Sequence, residues 1–252
     1  MSAACQPAMG FSLAGTVPVI LEDALRLPAV SHDVAQHLAR TPEETAANVA
    51  ARFSACRRGA ERARLFELFE LTGAAGIAHL SQALRTSANG LAARSVGLLS
   101  RYALPTVQEA LAVKLPQWKL AQHEEVIRQL ATAAAPGRGR LLAKVFAQLD
   151  KRVLAEAVDE IGMSREPLTV SLLLRLARGE ALQSADALVR VKAIEALGRL
   201  QAGAAAPYLR SVLESRSLLG WEQPAELRMV AAQAMAKIDR SEEGRVGKEC
   251  RS

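Results

Sequence analysis

The chain has 252 residues, half of them apolar, only 4% aromatic, and a formal net charge of +6. That is ample material for one or two cores, filled chiefly by the strong helix formers Ala and Leu. No alternating β-branched or aromatic run is bounded by turns, which argues against a β fold. Cys5, Cys56 and Cys250 are odd in number and widely spaced, so neither a disulfide framework nor a metal motif is expected, and a reducing cytoplasm fits. The basic charge comes mostly from Arg and reads as a solvated helical surface, more dispersed than a usual nucleic-acid footprint. The apolar run from Ala8 to Leu21 is broken by Gly10, Gly15 and Pro18, and no basic residue precedes Arg26. This suits neither a signal peptide nor a membrane span. Ser2-Ala3-Ala4-Cys5 has the small-residue form of a lipoprotein cleavage site, but no apolar region stands ahead of it.

Residues 1–30 show no clean period, apart from a short helix around Ile20, Leu21, Ala24 and Leu25 that should end before Pro28. Ser31 is placed to cap a helix reaching about Arg40. Thr41-Pro42-Glu43-Glu44 predicts a capping box, with Pro42 in the first turn, opening a helix through Val49, Phe53 and Cys56. A further helix runs from Arg62 to Leu71, the turn Thr72-Gly73-Ala74-Ala75-Gly76 ends it, and Ile77, Leu80 and Leu84 mark its return partner. Helices are then predicted over Leu91 to Tyr102, from Pro105, from Pro116, from Arg140 to Leu149 and from Lys151 to Ile161. Asp150 should cap the last of these and Gly162 should end it. Pro167 opens the next helix and Gly179 closes it, and Ser184 or Asp186 caps the one that follows.

Two late stretches share one pattern. Val189-Arg190-Val191-Lys192-Ala193-Ile194-Glu195-Ala196-Leu197-Gly198-Arg199-Leu200 aligns with Leu227-Arg228-Met229-Val230-Ala231-Ala232-Gln233-Ala234-Met235-Ala236-Lys237-Ile238 at an offset of 38. Helix pairs at such periods are the mark of helical arrays, in which each hairpin buries its apolar face against the next. Val189, Ala193, Ala196, Leu197 and Leu200 are expected to form that seam, and a large residue at Ala193 or Ala196 would overpack it.

The form Val-Arg-x-x-Ala-x-x-Ala-Leu-Gly over Val189–Gly198 resembles the second helix of bacterial HEAT-like repeats. The resemblance covers 184–239 and, less closely, 61–86; over 87–183 helix periodicity alone carries it. It implies an all-α, right-handed α-solenoid of about a dozen helices over 31–239, preceded by an irregular segment, 1–30. An Asp-to-Arg ladder is common in such repeats. Asp186 stands only four before Arg190 and Glu226 two before Arg228, so a regular ladder is not expected here. Residues 240–252 are polar and aperiodic, predict a disordered tail, and close on a run that resembles appended vector sequence.

No catalytic or metal-binding constellation is expected, and no cofactor. His32, His37, His79 and His123 lack ligand spacing, and the adjacent pairs Glu124-Glu125 and Asp159-Glu160 do not share a helix face. Cys56 lies beside Arg57 and Arg58, without an acid or His at an informative spacing, and reads as a structural thiol. Gly137-Arg138-Gly139 follows Pro136 rather than a strand, so it is no dinucleotide fingerprint; Arg138 and Arg140 at a helix N-terminus could hold an anion. Arg190 with Arg228, and Arg199 with Lys237, occupy equivalent repeat positions and would form a basic stripe on the concave face. The alternative is that these Arg residues hold repeats together through backbone or carboxylate contacts. Arg57, Arg58, Arg62 and Arg64 form a second basic cluster, read as a solvated face.

The expected function is a non-enzymatic scaffold that binds a protein partner through the concave face of the solenoid, an acidic one if the stripe is used. The rivals are nucleic-acid binding through Arg-rich faces, or an enzyme such as the alkylpurine DNA glycosylases, which resemble this chain in architecture only. Those enzymes use aromatic-lined clefts, and this chain has two tryptophans, Trp118 and Trp221.

Overall fold

The computed structural model describes residues 16–27, 29–57, 59–86, 90–181, 186–217, 220–221 and 223–249; for 216–217, 220–221 and 241–249 it describes the backbone alone. Among the described residues the chain is all-α apart from a two-residue antiparallel pairing of Arg216–Ser217 with Gly220–Trp221. It divides into two compact units, Met1–Leu98 and Leu99–Ser252.

The first unit contains α1 (Val17–Arg26), α2 (His32–Arg40), α3 (Pro42–Ala55), α4 (Gly59–Glu70), α5 (Gly73–Thr86) and the start of α6 (Gly90–Tyr102). α3 packs against α1, α2, α4 and α5. Val49, Phe53, Leu65, Leu80 and Leu84 are fully buried, and Phe53 meets Phe66 edge to face at 5.1 Å. Ser31 caps α2 as predicted, accepting from the Val34 N–H at 3.4 Å. The predicted capping box at Thr41 is absent. Thr41 ends α2 as well as starting α3, and its hydroxyl donates back to the His37 carbonyl at 3.4 Å. Its backbone, at φ −122° and ψ 59°, lies outside the extended region usual for a cap residue, and its hydroxyl answers an orphan carbonyl of the finished helix. The break after α4 is also shorter than predicted: α5 starts at Gly73, and Gly76 lies within it against Ala46 of α3.

The second unit contains the rest of α6, then α7 (Leu104–Lys114), α8 (Leu120–Ala133), α9 (Arg138–Val145), α10 (Leu154–Ser164), α11 (Val170–Arg178), α12 (Ala187–Arg199), α13 (Ala206–Glu214) and α14 (Ala225–Glu249). Short 3-10 turns join several of them; Pro116 and Pro167 lie in such turns rather than in the α-helices they precede. Asp150 caps the turn that leads into α10, accepting from the Arg152 N–H at 3.0 Å. Two side-chain bonds from Arg152 join that backbone bond and hold the Asp150 carboxyl well below the usual carboxylate range. Asp186 caps α12 through the Leu188 N–H at 2.8 Å; Ser184 lies outside the described residues.

α10, α12 and α14 pack side by side, and α9, α11 and α13 pair with α10, α12 and α14 respectively. Two glycines set the spacing of that row. A Cβ at Gly162 would stand 2.7 Å from the Ala196 Cβ and 3.0 Å from its Cα; one at Gly198 would stand 2.8 Å from the Ala234 Cα. Gly162 is therefore no helix stop. α10 continues to Ser164 and ends at Arg165, which adopts the left-handed conformation. The partners Ala196 and Ala234 are 38 residues apart, so the sequence offset is the repeat of a physical contact.

α12 is covered on two sides. Val189, Ala193, Ala196 and Leu197 are fully buried as predicted, and so is Ile194. Leu200 is half-buried, because the chain turns away at Gln201 in the left-handed region. In α14 the counterparts Leu227, Ala231, Ala234 and Ile238 are buried, whereas Met229, standing where Val191 stands, is 57% exposed. The backbone of α14 continues through residues 241–249, where the sequence predicts an irregular tail. Glu242, Glu243, Arg245, Lys248 and Glu249 are good helix formers, opposed only by Gly244 and Gly247. Residues 1–15 and 250–252 lie outside the described residues. Among the described residues no helix is long and apolar enough to cross a membrane.

Candidate functional site

The predicted anion site at Arg138 and Arg140 has the expected chemistry and an internal occupant. The Glu166 carboxylate, from the α10–α11 connection, accepts from the Gly139 and Arg140 N–H groups, each at 3.1 Å, and from the Arg140 Nε at 3.3 Å. A helix N-terminus favours a carboxylate through its free N–H groups and the helix dipole. Gly139 makes room, since a Cβ there would collide with Ser164. Arg138 turns to α10 instead, donating to Glu160 at 2.5 Å.

The predicted basic stripe divides in the same way. The Arg199 Nη1 reaches Asp159 of α10 at 2.6 Å, and Lys192 pairs with Glu195 at 2.8 Å. These four side chains tie α12 to α10 as a mixed cluster. The Arg190 Nε donates to the Ala177 carbonyl at 3.2 Å, one residue before the end of α11. The Tyr208 hydroxyl of α13 donates to that same carbonyl at 2.5 Å, and the Arg178 guanidinium lies over the Tyr208 ring. One carbonyl thus gathers α11, α12 and α13. Burial pushes the Tyr208 phenol above its ordinary value, against a smaller opposite pull from Arg190. Arg228 is half-buried, and Lys237 stands exposed on α14. The two Arg positions on α12 therefore make the backbone and carboxylate contacts of the alternative reading. Sequence periodicity located these positions but carried no sign of Tyr208 or Glu166, whose partners lie 31 and 26–27 residues away.

Of the histidines, His123 is buried and accepts from the Asp150 N–H at 3.2 Å, a structural use. His79 lies 3.9 Å from Glu43. Among the described residues no group of three or more His, Cys, Asp or Glu side chains could hold a metal ion. Cys56 is buried. In the second basic cluster, Arg64 donates to Glu67 at 2.7 Å and to the Leu27 carbonyl at 3.1 Å, while Arg57 is exposed and Arg58 lies outside the described residues. Arg64 lines a cleft of about 620 Å³ between α1 and α4. On its wall Arg52 meets Glu22 at 3.3 Å and Glu61 at 2.8 Å, so much of the charge is already answered.

A different face of the second unit is less satisfied. Between α9 and α11 runs a groove of about 380 Å³ whose charged lining is Arg140, Lys144 and Arg175, with Leu168 and Leu172 between them. Leu168 sits on the 3-10 turn ahead of α11 and is 73% exposed. A second hollow of about 590 Å³, between α7 and α9, shares Arg140, Lys144 and Leu168 and adds Glu109 on its α7 side. Lys144 donates to Gln108 at 2.9 Å across that hollow. Compared with family models, curated proteins and solved structures, the chain matches none.

Proposed function

We propose that the chain is a non-enzymatic scaffold of the HEAT-like kind, a right-handed α-solenoid in which successive helix pairs present an extended surface to a protein partner. The supporting observation is the repeated seam of the second unit. Gly162 against Ala196 and Gly198 against Ala234 repeat one close contact from α10 to α12 to α14. Stacking of that kind aligns equivalent side chains along a surface, and extended aligned surfaces are what helical arrays use for recognition.

The test is affinity capture with the full chain as bait from its source cells, followed by binding of the purified candidate. Reproducible enrichment of a protein that then binds directly supports the reading. No enrichment, together with a duplex DNA shift at ~50 mM salt that weakens steeply as salt rises, would replace it with the nucleic-acid alternative.

A further inference from the structure

We propose that the α9–α11 groove docks an acidic segment of a partner protein that carries a leucine-sized apolar anchor. The proposal rests on the scaffold reading and names the site and the partner's chemistry. The groove's charged lining is entirely cationic: Arg140 and Lys144 on α9, Arg175 on α11. The Arg140 side chain remains 53% exposed despite its contact with Glu166, Lys144 meets the neutral Gln108, and Arg175 makes no ion pair among the described residues. Positive charge is thus available at both walls, and a complementary partner is negative.

The floor adds a second requirement. Leu168 is 73% exposed, and the half-buried Leu172 lines the groove with it. Ala143 and Ser171 complete the lining, so the space beside the leucines is wide enough for another aliphatic group. An apolar centre rimmed by charge is the usual anatomy of a protein-binding patch. Grooves for single-stranded nucleic acid combine cations with aromatic stacking platforms, and no aromatic residue lines this one. The observations therefore favour an acidic peptide over a phosphate backbone.

The test uses the full chain and an array of acidic 12-residue peptides with Leu pairs at i,i+3, i,i+4 and i,i+7. Matched arrays replace Glu by Lys, or Leu by Ser, and a single-stranded oligonucleotide serves as the phosphate probe. Binding at ~50 mM salt should require both Glu and Leu and weaken as salt rises. Leu168→Ser should cost about tenfold or more in affinity, the scale of losing one buried aliphatic contact. Arg175→Glu with Lys144→Glu should abolish binding, while Lys237→Glu on α14 leaves it intact. All these positions are exposed, so melting curves should match the parent.

No saturable acidic peptide, or equal binding of the Lys array, overturns the groove assignment. So does binding that survives the groove variants and is lost with Lys237→Glu, although the scaffold reading stands in that case. Tighter binding of the oligonucleotide, lost with the same groove variants and indifferent to Leu168→Ser, overturns both.

Discussion

At the scale of single residues, glycine does the most specific work. Gly162 and Gly198 lie inside helices, where Ala is favoured by about 1 kcal/mol. Each is held there by the neighbouring Ala, whose Cα would stand within 3.0 Å of an added Cβ. Gly198→Ala is therefore expected to destabilise the protein by about 1–3 kcal/mol despite the better helix propensity. Gly90→Ala should be neutral or stabilising, since an added Cβ there meets nothing nearer than Arg94 at 3.8 Å. Thermal melts of the two variants check this, and a raised Tm for Gly198→Ala would sink it. Tyr208 offers a pH-dependent test. Its folded phenol is shifted upward, so above the unfolded value the folded state holds the proton more firmly. Its contribution is complete below the unfolded value, near 10, and is lost as pH rises through the folded value. In a Tyr102→Phe background, the ultraviolet titration of the remaining tyrosine should lie to the alkaline side of free tyrosine. A glycine motif can be read from the chain; that Gly162 is a contact rather than a stop could not, because a helix-ending Gly and a close-packed Gly look alike without the partner Ala196.

At the scale of elements, the junctions between helices carry the stabilising detail. α9 begins with no side-chain cap of its own and is closed by Glu166, 26 residues beyond Arg140. Glu166→Ala should cost roughly 1–2 kcal/mol by leaving two N–H groups unanswered at the positive end of the dipole. Glu166→Gln, which keeps an acceptor but loses the charge, should cost less than half of that. Urea denaturation of the pair decides it; equal losses would mean that the charge carries the whole effect and the neutral acceptor none. By comparison Asp186, a cap within its own helix start, is legible in sequence, and Asp186→Ala should cost about 1 kcal/mol. Local caps such as Ser31, Asp150 and Asp186 follow from neighbouring residues. The failure at Thr41 has an equally local cause, a residue that must end one helix and start the next and so does not take the extended backbone of a cap.

At the scale of the whole molecule, internal pairing leaves the net charge of +6 unchanged but engages several of the cations of the second unit. Arg138, Arg199 and Lys192 each meet a carboxylate, and Arg190 meets a carbonyl. Duplex DNA is therefore expected to bind weakly. A mobility shift at ~50 mM salt should be absent at protein concentrations below about 1 μM, tighter than ordinary non-specific binding. A clear shift at that level would mean that the paired arginines open. By itself the sequence determined that the chain is helical, roughly where its helices lie, and which positions repeat at 38, because periodicity and capping act over a few residues. The tertiary structure alone decided which repeated positions touch and which arginines are already engaged. It also decided that α9 is capped by a distant Glu and that Leu168 stands exposed among cations. Those outcomes depend on the distance between helices brought together by packing, a quantity that no local pattern encodes.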